Sequence, residues 1–167
     1  MNSTIELIRI EDLRPYPNNS RIHTSSQIER LRDSIKTFGI IKPILIDEEN
    51  TILAGHGIFY AAKAENYKEV PCLRNSTLSE AQKKAYIIAD NKLSDMSYFD
   101  MNIVMDELKT LDELDFDVFV TGFDYDELLS DDLSAIDSFF EEKTKVSKEK
   151  VDSKTIVCPA CGEKIDI

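Results

Sequence analysis

Apolar and polar residues alternate at the start of the chain, where Ile5, Leu7 or Ile8, and Ile10 predict a short first strand. Pro15-Tyr16-Pro17-Asn18-Asn19 ends it, because proline fixes φ and asparagine favours turns. The period then changes. Ile28, Leu31, Ile35 and Phe38 share one helical face, Ser26 and Glu29 have capping-box spacing before them, and Gly39 is placed to stop the helix. Pro43–Asp47 and Thr51–Ala54 read as two strands around the turn Glu48-Glu49-Asn50. Ile58–Lys63 predicts a helix and Glu69–Leu73 another short strand. Ser79 and Gln82 repeat the capping-box spacing and open a long helix through Ala85, Ile88 and Ala89 to about Leu93. Beyond Tyr98 the pattern is mostly helical, with a break at Thr121-Gly122. The fold class expected is α+β: a small mixed α/β domain over residues 1–98, an acidic helical extension over 99–142, a linker over 143–155 and a cysteine-bearing tail over 156–167.

Charge sharpens that division. Residues 1–98 carry 13 Lys/Arg and 13 Asp/Glu, whereas residues 99–142 carry one lysine and 15 acids. The net charge of −12 is therefore local to the extension. A neutral first segment can still focus basic groups on a phosphate, while the extension should repel nucleic acid. As a plain solvated helical face it would carry the same charges. No apolar run approaches the ~20 residues of a membrane helix. The start MNSTIELIRIED lacks the basic-then-apolar order of a secretory signal, and three cysteines do not make a disulfide scaffold. The expectation is a cytoplasmic protein.

Three clusters carry candidate chemistry. Gly55-His56-Gly57 lies between a predicted strand and a predicted helix, where backbone N–H groups and the helix dipole suit an anion such as phosphate. A tight turn with a hydrogen-bonded histidine would explain the same residues. Asn18-Asn19-Ser20-Arg21-Ile22-His23 offers amide, guanidinium and imidazole groups to phosphate oxygens or a base edge. Asp90-Asn91-Lys92, at the end of the long helix, sets a carboxylate, an amide and an ammonium in sequence, which suits a Mg²⁺–phosphate group. Turn formation and helix-end polarity are the plain alternatives for both. Cys158-Pro159-Ala160-Cys161-Gly162 is the knuckle of a zinc ribbon, but supplies half of a four-ligand site. Two chains sharing one Zn²⁺ would complete it as a zinc-bridged homodimer. The plain alternative is a metal-free pair.

Taken in order, residues 5 to about 95 resemble the ParB/sulfiredoxin-like N-terminal domain family. Asn18-Asn19-Ser20-Arg21 resembles the family's N-x-R loop, and Phe38 to Pro43 its G-x-x-Q-P turn. Leu53 to Ala62 resembles its A-G-E-R-R-x-x-A-A phosphate loop, and Ser79 to Lys92 its helix ending in an E-N-x-Q-R-like box. Phage and mobile-element members reading N-x-R-x-H, A-G-H-G, S-E-A-Q-x-x-A…A-D-N-K-L and L-x-G-F are similar at Asn19 to His23, Ala54 to Gly57, Ser79 to Leu93 and Val120 to Phe123.

The resemblance implies a nucleoside triphosphate with Mg²⁺. Gly39, Lys42 and Pro43 would flank the base; Gly55, His56 and Gly57 would approach the phosphates with Asn19, Arg21 and His23; Asp90 and Asn91 would sit near the metal, with Lys92 as a further cation. It also implies a DNA transaction beside a DNA-processing protein such as a DNA methyltransferase. A Mg-dependent NTPase, kinase or nuclease, with Glu29 or His56 as base, is the enzymatic alternative. An acidic adaptor or DNA-charge mimic is the non-enzymatic one. Two departures matter. An arginine of the phosphate loop falls at Ile58, and the position of the reactive cysteine of sulfiredoxins falls at His56, which argues against sulfiredoxin chemistry. The acidic extension argues against direct sequence-specific DNA binding.

Overall fold

A computed structural model describes residues 5–124 and the backbone of residues 155–157 and 164–166. The chain divides into two units, Met1–Phe123 and Asp124–Ile167.

In the first unit the predicted strands form one sheet. Strand β1 (Ile5–Arg9) leads through a 3-10 turn to helix α1 (Ser25–Phe38), then β2 (Ile44–Ile46) and β3 (Ile52–Ala54). Helix α2 (His56–Ala64), strand β4 (Glu69–Arg74), helix α3 (Glu80–Ser94), helix α4 (Met101–Glu113) and a 3-10 helix (Val118–Thr121) follow. The strand order is β1-β4-β2-β3. β1 and β4 are antiparallel, as are β2 and β3, while β2 and β4 are parallel. A parallel pair needs a crossover, and β3 with α2 supplies it. Ile44, Ile46, Ile52, Val70 and Cys72 are completely buried on the sheet, and Phe59 and Ala62 of α2 close the core over them. Cys72 lies in this apolar setting, where desolvation pushes its thiol up to about 11.

The helix starts show where short-range signals succeed. Ser79 caps α3 and Gln82 returns the bond, the predicted capping box. α1 differs: Thr24, not Ser26, is its N-cap, and its hydroxyl accepts from the Gln27 N–H. Both spacings fit a cap, and the extended backbone falls at Thr24. Gly39 ends α1 at φ 74°, in the region glycine tolerates. The β2–β3 turn is tied to α3 by charge. Asp47 accepts from the N–H groups of Glu49 and Thr51, and the Lys83 ammonium reaches Asp47, Glu48 and Glu80 at 3.2, 2.8 and 2.9 Å. Lys83 is buried, and these carboxylates, Glu48 foremost, push its pKa up.

In the second unit Thr155–Val157 (β5) pairs antiparallel with Lys164–Asp166 (β6), Val157 opposite Lys164. The linker expected over 143–155 overlaps β5 at its last residue, Thr155. Cys158 and Cys161, most of the linker and the acidic stretch 125–142 lie outside the described residues. Among the described residues no helix is long and apolar enough to cross a membrane.

Candidate functional site

The segment between β1 and α1 is held at both ends. Arg14 bridges to Thr51 beside the sheet, and Thr24 starts α1. Between them a turn closes with Asn19 N–H donating to the Tyr16 carbonyl at 3.2 Å. Asn19 Oδ1 then accepts twice, from the Arg21 N–H at 3.2 Å and from Asn91 Nδ2 at 3.3 Å. The Arg21 guanidinium extends to the last turn of α3, donating to the Asn91 carbonyl at 3.4 Å and to Asp95 Oδ1 at 2.9 Å. Two clusters seventy residues apart in sequence thus meet. His23 points the other way. Its Nδ1 lies 3.0 Å from Gln27 Oε1, and its ring meets Tyr60 edge-on at 5.8 Å between centroids.

A cleft of about 440 Å³ opens between this loop and α2, lined by Tyr16, Pro17, Asn19, Arg21, His23, Ile28 and Tyr60. α2 contributes Tyr60 to it, one turn after the helix start at His56. Gly55, at φ 94°, is the N-cap and brings no side-chain cap. The first N–H groups of α2 therefore lack an intrachain side-chain partner at the cap, which leaves them suited to an anion.

The sequence pattern starts this helix at Ile58, whereas His56 and Gly57 already form its first turn, because the left-handed Gly55 completes the change of direction alone. Their side positions point inward. A Cβ on Gly57 would lie 2.8 Å from Leu31 Cδ1 and 3.3 Å from His23 Cε1, so glycine here lets α1 and α2 approach closely. Gly57→Ala gains helix propensity of about 1 kcal/mol but overpacks this contact at about 1–3 kcal/mol. A net loss of about 1 kcal/mol in urea unfolding is expected. A more stable variant would show that Leu31 relaxes freely. His56 is 5% exposed, and its Nε2 accepts the Tyr16 N–H at 3.2 Å. Desolvation, and then the charge of His23, push its pKa down to about 4. At neutral pH it is an uncharged buttress under the Tyr16-Pro17 wall. Its Nε2 lone pair is already taken and could not accept a proton without breaking that bond.

The other candidates are spread more widely. Glu29 is exposed on α1 and does not line the cleft. Gly39, Lys42 and Pro43 follow α1, the first two exposed, and none lines this cleft. Asp90 is half-buried beside Asn91, and Lys92 is exposed. Ile58 packs against the sheet core, so an arginine there would start from an apolar contact rather than from the cleft. Among the described residues no group of three or more His, Cys, Asp or Glu is arranged around a metal position. A Mg²⁺ that arrives on a triphosphate needs only one or two protein oxygens. Asp90 and Asn91 can provide that number, since the Asn91 amide nitrogen is the end turned to Asn19.

Sequence reasoning missed Tyr16, Tyr60, Gln27 and Asp95. Tyr60 lies three residues after Gly57, hence on the same helical face once the helix starts at His56. Asp95 follows Asn91 by one helical turn.

The ParB N-terminal domain family matches residues 1–91 of this chain. The ParB-like nuclease domain-containing protein YnaK of Escherichia coli (strain K12) is 41% identical over 75 residues, 45% of this chain and 86% of YnaK. A probable chromosome-partitioning protein ParB of Rickettsia bellii is 27% identical over 122 residues, which cover 72% of this chain but 39% of that protein. The crystal structure of C-terminally truncated ParB from Caulobacter crescentus, complexed with CTP-gamma-S, superimposes with a TM-score of 0.58 at 23% identity, covering 65% of this chain and 62% of that one. At that identity the likeness is one of fold. The mixed sheet with its two packed helices, and a family match over more than half of the sequence, lead to one conclusion: this chain belongs to the ParB N-terminal domain family.

Proposed function

We propose that the domain binds a nucleoside triphosphate with Mg²⁺ at the cleft between the residue 16–23 loop and the start of α2, and serves a DNA transaction through a DNA-modifying partner such as a DNA methyltransferase. One observation carries the nucleotide reading: Asn19, Arg21 and His23 line one cleft with Tyr60 of α2, and Asn19 is bonded to Asn91 at the end of α3. Arg21 and the helix N-terminus are complementary to phosphate. Asp90 and Asn91 would hold the metal, and Tyr16 and Tyr60 offer aromatic surface to the rest of the ligand. CTP ranks first among the nucleotides because the Caulobacter ParB of similar fold is complexed with CTP-gamma-S. DNA enters through relatives named as chromosome-partitioning proteins. Residues 99–124 hold eight acids and one lysine, which favours contact with DNA through a partner.

Calorimetric titration of the full chain with CTP, ATP, ADP and GTP, each with Mg²⁺, tests the reading. Saturable binding of a triphosphate supports it, and release of inorganic phosphate would add the enzymatic alternative. Absence of binding to all four, with salt-sensitive capture of a basic protein, would support the acidic adaptor instead.

We further propose that Cys158 and Cys161 form half of a thiolate zinc site shared between two chains. The support is the C-P-x-C-G spacing of a zinc-ribbon knuckle. The expected stoichiometry is about half a zinc per chain, in a dimer that a chelator dissolves. Cys158→Ser should give the monomer. One zinc per monomer would overturn sharing.

A further inference from the structure

The cleft's one guanidinium is already engaged. Arg21 Nη2 lies 2.9 Å from Asp95 Oδ1 and Nη1 lies 3.4 Å from the Asn91 carbonyl, so both ends of the fork point at the negative end of α3. Asp95 stands at the C-cap of that helix, where a carboxylate is disfavoured by the dipole. The Arg21 contact compensates it. Neither group is enclosed: the Arg21 side chain is 36% exposed and that of Asp95 58%. Arg21 also lines the cleft, while Asp95 does not. The guanidinium therefore stands between an internal carboxylate and the space where an external anion would sit.

We propose that Asp95 is an internal counter-ion that competes with ligand phosphate for Arg21 and sets the affinity of the cleft. The proposal rests on the anion-binding reading of this cleft. A partner exchange of this kind favours ligands of high charge. A triphosphate or pyrophosphate offers several oxygens to the fork at once, and so displaces one exposed carboxylate. A monoanion does not gain enough to do so. The same exchange frees Asp95 at the end of α3, so ligand binding and the Arg21–Asp95 pair oppose each other by linkage.

The experiment is a titration of the full chain with Mg-free pyrophosphate and with CTP plus Mg²⁺ at fixed ionic strength. Wild type, Asp95→Asn, Arg21→Ala, the double variant and Asp112→Asn are compared. Asp112 is exposed on α4 and controls for the simple loss of one negative charge. An exposed ion pair contributes up to about 1 kcal/mol, so Asp95→Asn should tighten binding roughly two- to fivefold. Asp112→Asn should not, and Asp95→Asn should have no effect once Arg21 is alanine. Equal tightening by Asp112→Asn, or tightening that persists without Arg21, would overturn the counter-ion role while leaving the cleft as an anion site. If neither wild type nor Asp95→Asn binds either probe, the cleft reading falls and the proposal with it.

Discussion

Acidifying the protein from pH 7 towards pH 4 is expected to remove up to roughly 3 kcal/mol of stability through His56 alone. The imidazole is buried and accepts from the Tyr16 N–H, so its neutral form belongs to the folded state. Its pKa falls from an ordinary 6.5 to about 4 on folding. Above 6.5 neither state holds the extra proton, and the stabilisation is complete. Between 6.5 and 4 the unfolded chain takes up the proton and the folded one does not, so stability declines as pH falls. Below about 4 both states are protonated and the slope ends. The pKa values of Asp47, Glu48 and Glu65 are also depressed by folding, through their hydrogen bonds and ion pairs. Their losses begin only near the ordinary carboxylate range of about 4, leaving the upper part of the window to histidine. Urea midpoints measured from pH 7 to 4.5 should fall for the wild type and stay nearly level for His56→Gln, whose amide oxygen can accept the same N–H. An equally steep fall in His56→Gln would assign the acid sensitivity elsewhere.

His56 also shows why part of the site was hard to read from the sequence. Gly55-His56-Gly57 stands between a strand and a helix, and both a loop and a first helical turn satisfy that pattern. Gly55 decides between them, because its φ of 94° completes the turn in one residue. The histidine then faces inward. Its partner is a backbone N–H forty residues earlier, and no local pattern encodes that bond. The same limit applies at α1. Ser26/Glu29 and Thr24/Gln27 both have capping spacing, and the path of the preceding loop selects Thr24. Where the signal is local and unopposed, it suffices: the Ser79–Gln82 box forms, and the alternating apolar residues of β2 and β4 give the buried face of the sheet. The family motifs placed Asn19, Arg21 and Asn91 in separate segments. Only the fold shows that they touch one another. Asp95 and Tyr60 carried no motif, and they emerge as neighbours only through helical periodicity and tertiary contact.

Replacing Arg21 by alanine is expected to weaken triphosphate binding by about ten- to a hundredfold, because a charge-assisted contact to phosphate contributes about 1.5–3 kcal/mol. The variant is a clean probe of the cleft. Arg21 is partly exposed, and its partners are one carbonyl and one exposed carboxylate. Its removal should therefore cost the fold no more than about 1 kcal/mol. The Asn91 amide stays tied to Asn19 without it, so the loop and the end of α3 keep a direct bond. A change in affinity would then report the lost contact rather than a lost structure. Arg21→Lys separates charge from shape. A lysine keeps the positive charge but cannot present the planar fork, so it should recover part of the affinity and no more. Full binding by Arg21→Ala, with an unchanged urea midpoint, would place the phosphates elsewhere, and Lys63 and Lys92 would be the next cations to replace.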